Sequence, residues 1–311
     1  MESNQTLALK YRPKTLDEII GNELVVSVLK SQLSGESQQP LSRSILLHGP
    51  TGCGKTTLAR IIARELGVSN ADLKEIDSAD FRGIDTIREI RKQSQYMPLA
   101  SPYRVWILDE VHMLTREAQS VLLKTLEDTP KHIYFILCTT DPQKLLPTIR
   151  GRCSQFQVQT INDKEMKLLL RRVVKAEKES LTKEVYVQIV QDSLGHPRNA
   201  LQILAQVLAV EEDRRLEVAR RTAEVQSQTI ELCRALVGAA PWKKVSGILG
   251  GLKEEDAEKI RRAVLGYCQA ILLKGENNWA AVIMEEFIEP FFSSGFPGLV
   301  LACYRCLNSD E

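Results

Sequence analysis

Residues Ser44–Thr57 read SILLHGPTGCGKTT, and the chain is best read outward from them. Gly49, Pro50, Thr51, Gly52, Cys53, Gly54, Lys55 and Thr56 form a complete G-x-x-x-x-G-K-[ST] phosphate loop, with Thr57 following. Ile45, Leu46 and Leu47 are a short apolar run, as expected of a buried strand. After the loop, Leu58, Ile61, Ile62 and Leu66 recur at helical spacing, with Arg60 and Arg64 on the other side. Strand, glycine loop and helix in that order are the context in which the motif carries chemistry. The glycines let backbone N–H groups turn toward phosphate oxygens, and the helix start adds its positive dipole end. Lys55 is expected to reach the outer phosphates, and the Thr56 hydroxyl to ligate magnesium.

The second motif is Val105-Trp106-Ile107-Leu108-Asp109-Glu110. Four apolar residues followed by two acids read as a buried strand ending in a carboxylate pair. Asp109 is expected to hold the metal through water, and Glu110 to polarise the attacking water. An ordinary acidic strand end is the plain alternative, weakened by the complete phosphate loop upstream.

The chain has 311 residues, a net charge of +1 and 26% charged residues. That length suggests two or three domains. The chain as a whole is neither polybasic nor acidic, so any nucleic-acid surface must be local. MESNQTLALKYRP at the start is polar and unlike a signal peptide. No apolar run is long enough to span a bilayer. Seven scattered cysteines fit free thiols in a reducing compartment. Cys303 and Cys306 form one C-x-x-C without two further ligands nearby, and read as helix-packing thiols.

Taken in order, Thr15 with Glu18 reads as a capping box opening a helix. A strand at Leu73 to Ile76 and a helix at Thr86 to Tyr96 follow. Next come a helix at Arg116 to Asp128 and a strand at Ile133 to Cys138. A Gly151-Arg152-Cys153 turn leads to a last strand at Phe156 to Val158. This alternation predicts an α/β core with a parallel sheet covered on both faces. From Asn162 the strand signal vanishes. Helices are expected at Asp163 to Lys178, Lys183 to Ser193 and Asn199 to Val210, with a break at Gly195-His196-Pro197. Glu211 to Arg215 reads as a solvated hinge or a continuing helix. The remainder reads as helical, with loops at Gly238 to Pro241, Gly250-Gly251, Gly275 to Asn278 and Ser293 to Gly298.

These stretches together carry a resemblance. LKYRPKTLDEIIGNE, GPTGCGKTT, VWILDEVHML, LLKTLED, CTTDPQKL with its GRC turn, and GHPRNALQIL occur in this order. From about Leu7 to Leu208 the chain resembles the AAA+ clamp-loader ATPases, both the bacterial gamma/tau type and replication factor C small subunits. The resemblance implies an AAA+ P-loop core at 1–160, a small helical lid at 161–213 and an all-helical collar at 214–311. It implies ATP with Mg2+ as cofactors. It also implies a ring-like, pentameric assembly with other loader subunits that opens a sliding clamp and loads it on primer–template DNA. The expected setting is cytoplasmic, or nuclear for a eukaryotic source, with no membrane partner.

The resemblance also assigns residues. Leu9, Tyr11, Arg12 and Ile20 would cradle the adenine. Thr140, beside Thr139, would sense the γ-phosphate. Arg152 would be the finger given to a neighbour's nucleotide, and Arg198 the lid arginine on the bound phosphate. Arg82, Gly83 and Ile84 would face template DNA, although Arg82 together with Arg88, Arg91 and Lys92 reads equally as a solvated face. Tyr96, Met97 and Leu99 form an apolar cluster that either meets the clamp or packs on the core. Cys53, His112 and His196 read as bystanders. Two features depart from the family. Gly151 replaces the usual serine before the finger. Gly67 to Ile76 holds no cysteine, so the four-cysteine zinc module of bacterial gamma/tau is missing there. The rival readings are another AAA+ DNA motor of the branch-migration type, or a non-hydrolysing loader subunit. The intact Lys55, Asp109 and Glu110 count against the second.

Overall fold

The computed structural model describes residues 5–35, 37–193, 195–272 and 277–308, with the side chains of 220–227, 230 and 270 excepted. It divides into two compact units, one ending at Val210 and one starting at Glu211.

The first unit opens with α1 (Leu7–Lys10) and α2 (Glu23–Ser34). Strand β1 (Ser44–His48) runs into the glycine loop and α3 (Lys55–Glu65). Then follow β2 (Leu73–Asp77), α4 (Ile84–Gln93), β3 (Arg104–Asp109) and α5 (Arg116–Glu127). The sheet is completed by β4 (Ile133–Thr139), α6 (Pro147–Arg152) and β5 (Ser154–Gln157). The five strands are parallel in the order β2-β3-β4-β1-β5.

Strand residues alternate between two apolar layers, as the period of two requires. Ile45, Leu47, Val105, Ile107 and Ile136 pack with Leu29 of α2 and Ile61 and Ile62 of α3. Leu46, Trp106, Leu108, Phe135 and Leu137 pack with Ile87 and Ile90 of α4 and Leu122 of α5. Both faces are covered, so the central strands are apolar throughout and the loops at their C-terminal ends are left to carry chemistry.

Three helices complete the unit: α7 (Asp163–Ala176), α8 (Lys183–Ser193) and α9 (Pro197–Leu208). Asn162 and Glu165 cap α7 reciprocally: Asn162 Oδ1 accepts from Glu165 N at 3.0 Å, and Glu165 Oε2 accepts from Asn162 N at 2.8 Å. The capping box expected at Thr15 does not form. Leu16–Glu18 is a single 3₁₀ turn, Thr15 makes no side-chain cap, and Glu18 Oε2 instead accepts from Lys14 N at 2.7 Å.

The second unit is helical: α10 (Arg215–Val237), α11 (Trp242–Gly251), α12 (Ala257–Leu272), α13 (Asn278–Glu286) and α14 (Gly295–Asn308). Its core joins Leu232, Leu236, Val264, Ile283, Phe287 and Leu299 with Cys303 and Cys306 of α14. All seven cysteines are buried thiols, and burial pushes Cys306 up to about 12.

Several sequence expectations are corrected here. Gly250 and Gly251 end α11 and do not form a loop, and a Cβ on Gly251 would stand 2.4 Å from the Gln228 side chain of α10. The GRC turn is instead the last turn of α6, started by Pro147 in the first helical position. Helix α14 begins at Gly295, inside the expected Ser293–Gly298 loop. Of the expected loop at Gly275 to Asn278, positions 275 and 276 fall outside the described residues, while Asn277 caps α13 and Asn278 is its first residue. Glu211–Arg215 resolves into a 3₁₀ turn at Glu212–Arg214 that leads into α10.

Candidate functional site

The phosphate loop leaves the C-terminal end of β1 and enters α3. Gly49 (φ +148) can only be glycine, since a Cβ there would lie 1.9 Å from the carbonyl oxygen of Val158. Gly49 N donates to Thr139 O at 3.2 Å, which ties the loop to β4. Lys55 Nζ donates to the carbonyls of Gly49 and Pro50, both at 2.9 Å, so its ammonium lies within the loop. Arg198 of α9 closes over the other side: its Cβ would lie 3.4 Å from a Cβ at Gly52. Cys53 Sγ lies 3.7 Å from Nδ1 of His196, just before α9, and burial raises the thiol.

Beside the loop, Thr56 Oγ1 donates to Asp109 Oδ2 at 2.6 Å. These are hard oxygen donors at a helix N-terminus, and they fit a magnesium ion carried by a nucleotide. Glu110 follows in the left-handed region, with φ 44 and ψ 42. Its Oε2 accepts from Thr140 Oγ1 at 3.3 Å and lies 3.2 Å from His112 Nδ1. His112 Nδ1 also lies 3.1 Å from Thr139 Oγ1. The 3₁₀ turn at Val111–Met113 carries the His112 ring back against the carboxylate.

A cavity of about 530 Å³ opens next to the loop. It is lined by Leu9, Tyr11, Arg12 and Ile20 from the N-terminal segment, Gly52, Cys53, Gly54 and Thr57 from the loop, and Arg198 from α9. Tyr11 donates its hydroxyl proton to Glu177 Oε1 at 2.6 Å, and Lys10 Nζ pairs with the same oxygen at 2.8 Å. The hydrogen bonds from Lys10 and Tyr11 hold the Glu177 carboxyl below its ordinary range. The first segment is thereby fastened to the C-terminal end of α7. Burial, followed by the nearby Arg60 cation, lowers the Arg12 guanidinium, and Arg198 acts in the same direction. Gly49, Pro50, Thr51, Lys55 and Thr56 sit at the phosphate end and not in the cavity lining.

The structure does not bring Arg152 to this cavity. Arg152 ends α6, ahead of β5, and β5 runs parallel to β1 with Ser154 beside Ile45. The phosphate loop begins after His48. At roughly 3.3 Å per residue, Ile45 to Gly49 spans about 13 Å. Arg152 thus starts a strand's length behind its own phosphate loop. It pairs there with Glu127 of α5, and Nη1 donates to Thr148 O at 3.2 Å.

Arg82 and Gly83 are exposed before α4, and Arg82 Nε donates to Ala79 O at 2.8 Å. Ile84, half-buried, opens the helix. Tyr96, Met97 and Leu99 are 62%, 68% and 79% exposed, which excludes packing on the core. A buried pair that sequence reasoning missed holds their loop. Asp72 accepts from Leu99 N at 2.7 Å, Ala100 N at 2.8 Å and Ser101 Oγ at 3.0 Å. Arg104 lies 3.5 Å from Asp72 and donates to the carbonyls of Gln93 and Met97. Burial alone raises the Asp72 carboxyl, but these donors and Arg104 outweigh it and bring it down to about 2. Gln119 was missed as well. It is buried in α5, donates to Leu114 O at 3.2 Å and accepts from Leu146 N at 2.9 Å, fixing the segment that leads into α6.

The fold and the phosphate loop are those of the AAA+ P-loop class. In structure the chain resembles the Thermotoga maritima RuvB Holliday junction branch migration motor. The TM-score is 0.59 at 25% identity, covering 73% of this chain and 79% of that one. A proline-to-glycine point mutant of the same protein gives 0.60 at 21% identity, over 78% and 88%. A family model for the DNA polymerase III delta subunit matches residues 68–162. The Mycobacterium tuberculosis DNA polymerase III subunit gamma/tau is 35% identical over 223 residues, 64% of this chain and 38% of the relative. The Escherichia coli subunit tau is 32% identical over 284 residues, 85% and 40%. The gamma subunit of Buchnera aphidicola is 35% identical over 221 residues, 64% and 60%. Within the AAA+ class, the chain is thus similar to the DNA polymerase III gamma/tau subunits. The chain spans about two-fifths of the length of the mycobacterial and Escherichia coli relatives.

Proposed function

We propose that the chain is an ATP-hydrolysing subunit of a sliding-clamp loader. The observation that carries this reading is the cluster at the strand ends: Thr56 on Asp109, and Glu110 on Thr140, beside the phosphate loop. Lys55, Thr140 and Arg198 would contact the outer phosphates of ATP. Leu9, Tyr11, Arg12 and Ile20 would hold the base. Thr56 and Asp109 would hold Mg2+, which neutralises charge between the phosphates when bound. Glu110 would orient water and take its proton as the bond forms. Arg152 would serve a neighbouring subunit, a reading supported by its place a strand's length from its own phosphate loop.

On this reading the lid (161–213) closes on the nucleotide held by the core (1–160). The helical unit (214–311) joins the chain into a ring-like, pentameric assembly. Arg82, Gly83 and Ile84 would face primer–template DNA, and Tyr96, Met97 and Leu99 the sliding clamp. The bacterial relatives favour a cytoplasmic setting. Among the described residues no helix is long and apolar enough to cross a membrane. A branch-migration motor shares the fold, but the DNA polymerase III relatives match at higher identity than RuvB does. The test is steady-state ATP turnover with and without primed DNA and the cognate clamp. Joint stimulation by both is expected. Stimulation by DNA alone, with strand unwinding, would select the motor, and no turnover would select a passive subunit.

A further inference from the structure

Resting on the ATPase reading of Glu110, we propose that His112 is a positioning residue that fixes the water-activating carboxylate. Glu110 follows β3 in a left-handed backbone conformation, uncommon for a residue with a side chain. That kink turns its side chain toward the end of β4. The carboxylate then needs donors to stop it swinging. Thr140 Oγ1 at 3.3 Å is long for a bond to a carboxylate, and His112 Nδ1 at 3.2 Å is the second contact on the same oxygen, Oε2. Neither is short enough to hold the group alone.

An ionised carboxylate has no proton to give, so Nδ1 must be the protonated nitrogen for this contact to be favourable. The tautomer follows from the partner. The ring is itself placed. Its side chain is only 10% exposed, and Nδ1 lies 3.1 Å from Thr139 Oγ1. Thr139 Oγ1 is fixed in turn by accepting from Asp141 N at 3.0 Å. The single Nδ1–H is shared between Glu110 Oε2 and Thr139 Oγ1, and with Thr140 it ties Oε2 to the end of β4. Among the described residues no side chain or N–H donates to Oε1, the oxygen left to face water. This arrangement makes two demands on His112: an N–H at the Nδ1 position and a ring held by β4. Buttressing of Thr139 alone would make only the second.

The full chain tests this with His112→Ala, His112→Asn, Glu110→Gln and the His112→Ala/Glu110→Gln double variant. The readouts are kcat and KM for ATP, affinity for a fluorescent ATP analogue, and thermal melting. Turnover of the slow variants is followed by long single-turnover incubations. His112→Ala should lower kcat about tenfold, part of the roughly 10²–10⁴ that a positioned base supplies, with KM and nucleotide affinity unchanged. His112→Asn keeps an N–H near the Nδ1 position and should recover most of the rate. In the Glu110→Gln background, His112→Ala should cost nothing further, since the group it positions is gone. Wild-type kcat in His112→Ala, while Glu110→Gln is inactive, would overturn the inference and leave the ATPase reading standing. So would equal proportional losses in both backgrounds, or an Asn variant as impaired and as unstable as Ala. Wild-type turnover in Glu110→Gln would remove the reading of Glu110 and the inference with it.

Discussion

Two arginines stand at opposite ends of one sheet, in different surroundings. Arg198 lines the cavity beside Gly52, at the C-terminal ends of the strands where Lys55, Asp109 and Glu110 gather. Arg152 lies ahead of β5 at the other end, held by Glu127 and by a carbonyl of its own helix. A strand's length separates Arg152 from the phosphates its own subunit would bind. The cavity end gathers the groups proposed to act on the phosphates, Arg198 among them, whereas Arg152 stands at the far end of the strands. Under the proposed function, this difference is what sites completed between subunits would produce.

The largest effect should come from breaking the far end. Arg152→Ala should cut ATP turnover by about 10³–10⁵-fold, the range for an arginine supplied in trans, with ATP affinity nearly unchanged. Equilibrium binding measured beside turnover separates the two. Breaking the cavity end at Glu110→Gln should cost about 10²–10⁴-fold, again with binding intact, and rapid-quench single-turnover kinetics would show it. The surface loop should respond differently. Replacing Tyr96 and Met97 together with serine should weaken clamp binding, seen by surface plasmon resonance, and leave basal turnover unchanged. Loss of ATP binding in that variant would refute a surface role.

The smallest effect concerns the support of that loop. The Asp72 carboxyl is brought down to about 2 in the folded chain, below its ordinary value near 3.8. A depressed carboxylate stabilises the fold above its unfolded pKa and stops doing so as pH falls through the folded one. Its contribution should therefore fade between about pH 4 and pH 2. Thermal melts across that window should be steeper in pH for the wild type than for Asp72→Asn. Equal slopes would show that the carboxylate is not stabilised by its loop donors.

The parts legible in the sequence are those whose chemistry is contiguous. The phosphate loop, the acidic end of β3 and the alternation of strands and helices are written in local spacing, which fixes both element type and side-chain direction. Reading failed where partners are distant in the chain. Asp72 and Arg104 meet only because β2 and β3 are neighbours, and neither residue carries a motif. His112 sits inside a motif, yet its contact with Thr139 requires β4 to lie beside β3. Glycine punctuation misled at Gly250-Gly251 and at Gly151, which lie in the last turns of α11 and α6. The cost of glycine in a helix, roughly 1 kcal/mol, is small enough for tertiary packing to override. At Gly251 the close approach of Gln228 explains the choice.

The claim that the site is completed between subunits is tested most directly by mixing two defective chains. Arg152→Ala keeps an intact phosphate loop and lacks the finger, whereas Lys55→Ala keeps the finger and lacks the phosphate lysine. Each alone should be nearly inactive. If Arg152 acts in trans, mixed assemblies contain interfaces that join a sound loop to a sound finger, and a fraction of wild-type turnover should return on mixing. If mixed oligomers form and the rate stays at the sum of the two variants, Arg152 does not act across a boundary and the division drawn here is wrong.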